Sequence, residues 1–256
     1  MKKKTLVIAN WKMNPLTSIE AKRIVEATKR TASKLKRTEV AIAPSFIHLP
    51  LVSKMILKSK KVSLAAQNAH HKNQGAHTGE VSSLSLKEFK TQYIIVGHSE
   101  RRAAGETSFE VNDKIKTFLT NKLTPVVCIG EKKRDPNGNY LNEIRVQIKE
   151  TLSGLSAKDF MDIVIAYEPV WAIGKSWRES MTGTDMHEMS LVIKKILSDL
   201  FGDDYGRNAR ILYGGSVEAE NARDLMEKGD VSGFLIGHSS LTDQFKLILK
   251  TVDEVK

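Results

Sequence analysis

The sequence predicts an α/β protein: one closed barrel of eight parallel strands alternating with helices, a (β/α)8 barrel occupying residues 1–256 as a single domain. Three observations lead there. Short apolar runs alternate with longer amphipathic runs eight times, the pattern of repeated βαβ units. Runs such as Val62-Ser63-Leu64-Ala65-Ala66 and Ile163-Val164-Ile165-Ala166 are nearly continuous rather than alternating, which suits a parallel sheet buried on both faces. The residues with distinctive chemistry each follow the C-terminal end of such a run, and in a parallel barrel those ends open on one side.

In order, strands are expected at 5–10, 39–43, 62–67, 93–97, 124–129, 162–168, 209–213 and 232–236. Helices fill the intervals. Thr17-x-x-Glu20 and Thr107-x-x-Glu110 read as capping boxes, in which each side chain satisfies a free N–H of the other's end. From Asp185 to Phe201, residues Met189, Ile193, Ile196, Leu197 and Leu200 fall on one helical face, the stripe expected to pack on the barrel. No linker, low-complexity tract or shift of composition divides the chain. An open doubly wound sheet is the rival fold, but it usually carries a Gly-rich turn after its first strand, and Ala9-Asn10-Trp11-Lys12-Met13-Asn14 has none.

Composition narrows the function classes. Apolar residues make up 41% and charged residues 27% of the chain, ordinary values for a globular protein. No apolar run approaches the roughly 20 residues a membrane span needs, and the stretch after Met1-Lys2-Lys3-Lys4 is too short for a signal peptide. Cys128 is the only cysteine, so neither a disulfide framework nor a cysteine metal cluster is expected. A cytoplasmic protein fits. The net charge of +10 is spread along the chain, and in the densest stretch, Lys22 to Arg37, Glu26 stands four residues from both Lys22 and Arg30. That spacing marks a solvated helix face rather than a nucleic-acid surface, although a positive field helps attract an anionic substrate.

The most informative stretch is Ala166 to Lys175, AYEPVWAIGK. An apolar strand delivers one carboxylate, Glu168, and Pro169 ends the strand because it lacks an N–H. A bulky Trp171 and a flexible Gly174 follow, as in a mobile apolar lid. A carboxylate at the mouth of a buried strand is poorly solvated and therefore a stronger base. Asn10 and Lys12 follow the first strand, His98 the fourth, Gly214-Gly215-Ser216 the seventh and Gly237 the eighth. Taken singly, each has a plain structural explanation; their convergence at one end of a barrel does not.

ANWKMN, QNAHHKNQGAHTGEVS, GHSERR, VVCIGE, AYEPVWAIG and YGGSV, in this order, resemble the triosephosphate isomerase family from Val7 to Leu241. The resemblance implies the TIM-barrel fold and an aldose–ketose isomerisation through an enediolate, with no cofactor and no metal. By the same resemblance Glu168 is the base, His98 a neutral imidazole that polarises the carbonyl, and Lys12 a cation for the developing charge. Asn10 orients Lys12 and donates toward the enediolate, while Glu100 engages the lysine and shuttles protons. Cys128 packs near the base. Asn10, Lys12, Gly174, Ser216, Gly237 and His238 are the expected substrate-binding residues, with the phosphate taken by backbone amides and helix ends after the seventh and eighth strands and by the Gly174 amide of the lid. The polar 68–80 loop is implied to reach into a second subunit, with Thr78 at its tip and Glu80 and Arg101 paired across a homodimer.

Two departures stand out. The family has two glycines where this chain has Gly237-His238; a positive φ at the second would cost a histidine ~1–2 kcal/mol. The lid runs on as Lys175-Ser176-Trp177-Arg178-Glu179-Ser180, longer than the family's compact hinge. Its second hinge is therefore expected near Ser180 to Gly183, with Trp177 as a packed anchor. A barrel acting on a larger sugar phosphate is disfavoured by the short lid. A catalytically silent nucleic-acid binder is disfavoured by intact Asn10, Lys12, His98 and Glu168.

Overall fold

Eight parallel strands close on themselves in chain order: β1 Thr5–Asn10, β2 Thr38–Ala43, β3 Val62–Ala66, β4 Thr91–Val96, β5 Thr124–Ile129, β6 Val164–Tyr167, β7 Ile211–Tyr213 and β8 Gly233–Ile236. This computed structural model describes residues 4–255, so Met1, Lys2, Lys3 and Lys256 lie outside it. Closure is made by β1 against β8, with Leu6 opposite Gly233 and Ala9 opposite Ile236. Only glycine fits at 233: its φ is +138°, and a Cβ there would lie 1.9 Å from the Leu6 carbonyl oxygen.

The strand side chains sort by the period of two. Leu6, Ile8, Ala41, Ala43, Ile95, Val126, Cys128, Val164, Ala166, Leu212 and Leu235 fill the barrel interior. Their neighbours, such as Val7, Ile42, Leu64, Ile94, Val127, Ile165 and Phe234, pack against the helices in a second, larger core. Both faces are buried, which is why the strands read as unbroken apolar runs.

The expected strands are all present, with shifted ends. β6 starts at Val164 rather than 162, because the N–H groups of Asp162 and Ile163 close a turn onto Asp159 and Phe160 (3.2 and 3.1 Å). β7 starts at Ile211 because Ala209 bonds back to Gly206 at 3.2 Å. Thr107 and Glu110 form a reciprocal capping box, whereas Thr17 only accepts the Glu20 N–H. In the helix Gly183–Phe201, Met189, Ile193, Ile196 and Leu197 are buried as expected, but Leu200 remains 39% exposed beyond the reach of the barrel.

The 68–80 loop is ordered by its own bonds. The His70 N–H donates to Val81 O at 2.9 Å, Ser82 Oγ to Asn73 O at 2.6 Å, and Thr117 Oγ1 to His71 O at 2.6 Å. The His70 ring stacks on those of His71 and His77, with centroids 4.3 and 4.2 Å apart. Thr78 and Glu80 are exposed, and Arg101 Nε meets Glu106 Oε1 at 3.4 Å within the chain. Among the described residues, no helix is long and apolar enough to cross a membrane.

Candidate active site

The C-terminal mouths of β1, β4, β6, β7 and β8 surround a cavity of about 230 Å³ lined by Asn10, Lys12, His98, Glu168, Gly174, Gly214–Ser216, Gly237 and His238. Of the site residues read from the sequence, only Glu100 stands outside this lining, and it touches the cavity through Lys12. The barrel thus brings together groups up to 228 positions apart, from Asn10 to His238.

Glu168 is 2% exposed. Its Oε2 accepts the Ser99 N–H at 3.0 Å, and its Oε1 lies 3.2 Å from His98 Nε2. His98 Nδ1 accepts the Glu100 N–H at 3.2 Å, at the start of the helical turn Ser99–Ala103. A ring nitrogen that accepts a hydrogen bond carries no proton, so this contact places the proton on Nε2, facing Glu168 and the cavity. The carboxylate is therefore held by the Ser99 N–H and faces the His98 ring.

Two glycines make space for it. A Cβ at Gly130 would lie 1.7 Å from the Glu168 carbonyl oxygen, and one at Gly214 would lie 2.8 Å from Glu168 Cγ. Behind Glu168, the Cys128 thiol is fully buried; burial first, and the adjacent Glu168 second, push its pKa well above the ordinary thiol value. It is a neutral packing group.

Lys12 sits in the left-handed region, with φ +53°, a conformation that costs a non-glycine residue ~1–2 kcal/mol. Its backbone is clamped on both sides. The Lys12 N–H donates to Asn10 Oδ1 at 3.1 Å, and Gln67 Nε2 donates to Lys12 O at 2.8 Å and to Ala43 O at 3.0 Å. The ammonium reaches Glu100 Oε1 at 2.6 Å. Glu100 is 58% exposed, so this pair positions Lys12 more than it stabilises the fold. Gln67 was not singled out in the sequence; a polar residue one position past β3 was the available signal.

Ser216, Gly237 and His238 form a separate wall of the cavity. Gly237 lies close to the lysine: a Cβ there would lie 3.3 Å from Lys12 Cε, so the lysine side chain would have to give slightly. His238 opens a short 3-10 turn, His238–Leu241, and is exposed. Its φ is not positive, so the strain considered for a histidine at this position does not arise. Ser216 Oγ donates to Ala172 O at 2.9 Å, joining this wall to the lid.

The lid is held at its first hinge by Glu131, a buried carboxylate just past β5. Glu131 accepts from Tyr167 OH (2.9 Å), Trp171 Nε1 (2.8 Å) and Arg134 Nε (3.2 Å). The motif VVCIGE contained this residue, but its role depends on partners 36 and 40 positions away. Gly174, at φ +75°, is exposed at the tip. Trp177 is half-buried: its N–H donates to Glu218 Oε1 at 3.3 Å, and Arg178 lies over its ring at 4.6 Å. The anchor expected at 177 is thus partly embedded. The far hinge ends at Thr182, which forms a capping box with Asp185 at the start of the following helix. Asn221 Nδ2 ties Ser180 Oγ (3.3 Å) to Ser216 O (3.0 Å).

Comparison with known proteins gives a consistent picture. A family model described as triosephosphate isomerase matches residues 5–252. Three relatives bear that same name. The protein of Acetivibrio thermocellus is 39% identical over 98% of this chain and 99% of its own length. That of Dehalococcoides mccartyi is 40% identical over 92% and 91%, and that of Thermoanaerobacter pseudethanolicus 38% identical over 93% and 95%.

Proposed function

We propose, from the premise that this chain belongs to the triosephosphate isomerase family, that Glu168, His98, Lys12, Asn10 and Glu100 carry its reaction and that Asn10, Lys12, Gly174, Ser216, Gly237 and His238 hold its substrate. As a member, the chain is an isomerase that interconverts dihydroxyacetone phosphate and D-glyceraldehyde 3-phosphate, a reaction of glycolysis and gluconeogenesis.

One observation carries the residue assignment: a buried carboxylate and a buried imidazole, 3.2 Å apart, share a cavity wall with a lysine. Glu168 takes a proton from the carbon beside the carbonyl, and the C–H electron pair moves toward the carbonyl oxygen. His98, a neutral donor through Nε2–H, hydrogen-bonds that oxygen; this division between carboxylate base and neutral imidazole is the family's established pairing. Lys12 and Asn10 stabilise the enediolate's negative charge in a site where water is scarce. Glu168 returns the proton to the neighbouring carbon, and the hydroxyl proton moves between the two oxygens. Glu100 orients the ammonium that it pairs with.

The phosphate then rests on the wall made by Ser216, Gly237 and His238, and the lid adds the Gly174 amide on closing. Gating of this kind excludes water from the intermediate. The Ser216–Ala172 bond supports this reading, because it already links the phosphate wall to the lid.

The same reading makes the chain one barrel domain over residues 1–256, supported by a closed sheet that draws strands from Thr5 to Ile236. It places the protein in the cytoplasm as a homodimer joined by the 68–80 loop, with the exposed Thr78 and Glu80 available to a partner.

A structure with 2-phosphoglycolate tests the assignment. The carboxylate of that ligand belongs beside His98 and Lys12, and its phosphate beside Ser216, Gly237 and His238 with Gly174 closed over it. A ligand bound elsewhere, or Gly174 left remote from the phosphate, overturns the assignment.

A further inference from the structure

A second cavity, about 460 Å³, lies away from the strand mouths. It is a groove between the first helix, Ser18–Ala32, and the last, Gln244–Glu254, with Ser240 to Asp243 across one end. Ile24, Ala27, Leu241 and Phe245 give it apolar surface, beside the hydroxyl residues Thr28, Thr31, Ser240 and Thr242. Its rim carries Arg23, Arg30, Lys34, Lys246 and Lys250 against the single acid Asp243, an excess of four positive charges.

Among the described residues, none of these five cations is ion-paired. Nearby surface shows what the chain does elsewhere: Arg223 meets Glu227 at 3.2 Å and Glu254 at 2.8 Å, and Lys228 meets Asp224 at 2.6 Å. In the groove, Lys246 and Lys250 stand one turn apart with the same sign, an unfavourable spacing. The last helix also begins here without a side-chain cap, since Asp243 makes no capping bond. The positive end of an 11-residue helix therefore adds to the field. A concave space of this volume suits one compact organic ligand, whereas an extended nucleic-acid strand needs a continuous basic track.

We propose that this groove is a second binding site, separate from the isomerase site, for an amphiphilic organic polyanion: a compact apolar or heteroaromatic body carrying two or more phosphates. The body lies on Ile24, Ala27, Leu241 and Phe245, and the phosphates meet the unpaired Arg and Lys side chains and the open helix end.

Isothermal titration at low ionic strength tests this with ATP, inorganic tripolyphosphate and adenosine as probes. ATP should saturate one site with a Kd below about 1 mM, tripolyphosphate should bind more weakly, and adenosine should give no saturable signal. The double variant Arg30→Glu with Lys250→Glu should weaken ATP binding by about tenfold or more. Ala27→Trp, which fills the groove and keeps every charge, should do the same. Both variants should keep isomerase kcat/KM within about twofold of the parent, and 2-phosphoglycolate should not displace ATP. Absence of saturation, ATP affinity unchanged in Ala27→Trp, tripolyphosphate binding as tightly as ATP, or displacement by 2-phosphoglycolate would each overturn the proposal. So would an acidic peptide that binds where ATP does not.

Discussion

Gly214→Ala isolates the placement of the base from its identity. The position does not adopt a positive φ, so alanine is conformationally permitted, but its Cβ would lie 2.8 Å from Glu168 Cγ. Carbon atoms in contact prefer about 3.5–4.0 Å, so the Glu168 side chain must yield by roughly 0.7–1.2 Å. It cannot retreat freely, because Gly130 already packs against the Glu168 carbonyl oxygen, the Ser99 N–H holds its carboxylate and the His98 ring stands 3.2 Å away. A misplacement of about 1 Å near reacting atoms costs on the order of 10²-fold in rate, equivalent to about 2.7 kcal/mol of barrier. Overpacking should lower stability by about 1–3 kcal/mol. The Gly214 N–H is already bonded to Tyr167 O at 2.8 Å, so phosphate affinity should change far less than turnover. A coupled isomerase assay, 2-phosphoglycolate titration and thermal unfolding measure these three effects separately. A kcat within about threefold of the parent would refute the claim that Gly214 sets the position of the base.

Two further outcomes follow from the same geometry. On the proposed homodimer, Thr78→Arg should give a species of 28.6 kDa with poor activity, as read by sedimentation; an unchanged mass, or a monomeric parent, contradicts the loop assignment. The raised Cys128 pKa withholds a proton release that the unfolded chain makes near its ordinary value of 9.0. The native state then binds more protons than the unfolded state above that pH, so stability should fall as pH rises past about 9, by about 1.4 kcal/mol per unit for this group. Denaturant titration at several alkaline pH values should show a shallower slope in Cys128→Ala, and an identical slope rejects the attribution.

Much of this molecule was legible in the sequence because the barrel imposes a simple local code. Strands buried on both faces read as apolar runs, and the candidate site residues stand at or just past their ends, as Asn10, His98 and Glu168 do. Strand starts were less legible: Asp162 and Ala209 belong to turns whose hydrogen bonds no apolar pattern encodes. Leu200 has the right spacing for the buried stripe, but spacing does not reveal where the barrel surface ends. The supporting shell was hidden for a different reason. Gln67 reaches Lys12 across 55 positions, and Glu131 collects Tyr167 and Trp171 from across the lid hinge. Such contacts exist only after the sheet has closed. The close approach of Gly214 to Glu168 likewise depends on the β6–β7 register, in which Tyr167 pairs with Tyr213.

The central claim is that Glu168 is the base, and Glu168→Gln in deuterated water tests it most directly. The amide keeps the shape of the side chain but cannot take the proton. Loss of a general base typically costs about 10²–10⁴-fold, so exchange of substrate hydrogen with solvent should fall by at least that order while 2-phosphoglycolate still binds within about tenfold of the parent. Hydrogen exchange and isomerisation that stay within a few fold of the parent would contradict the account.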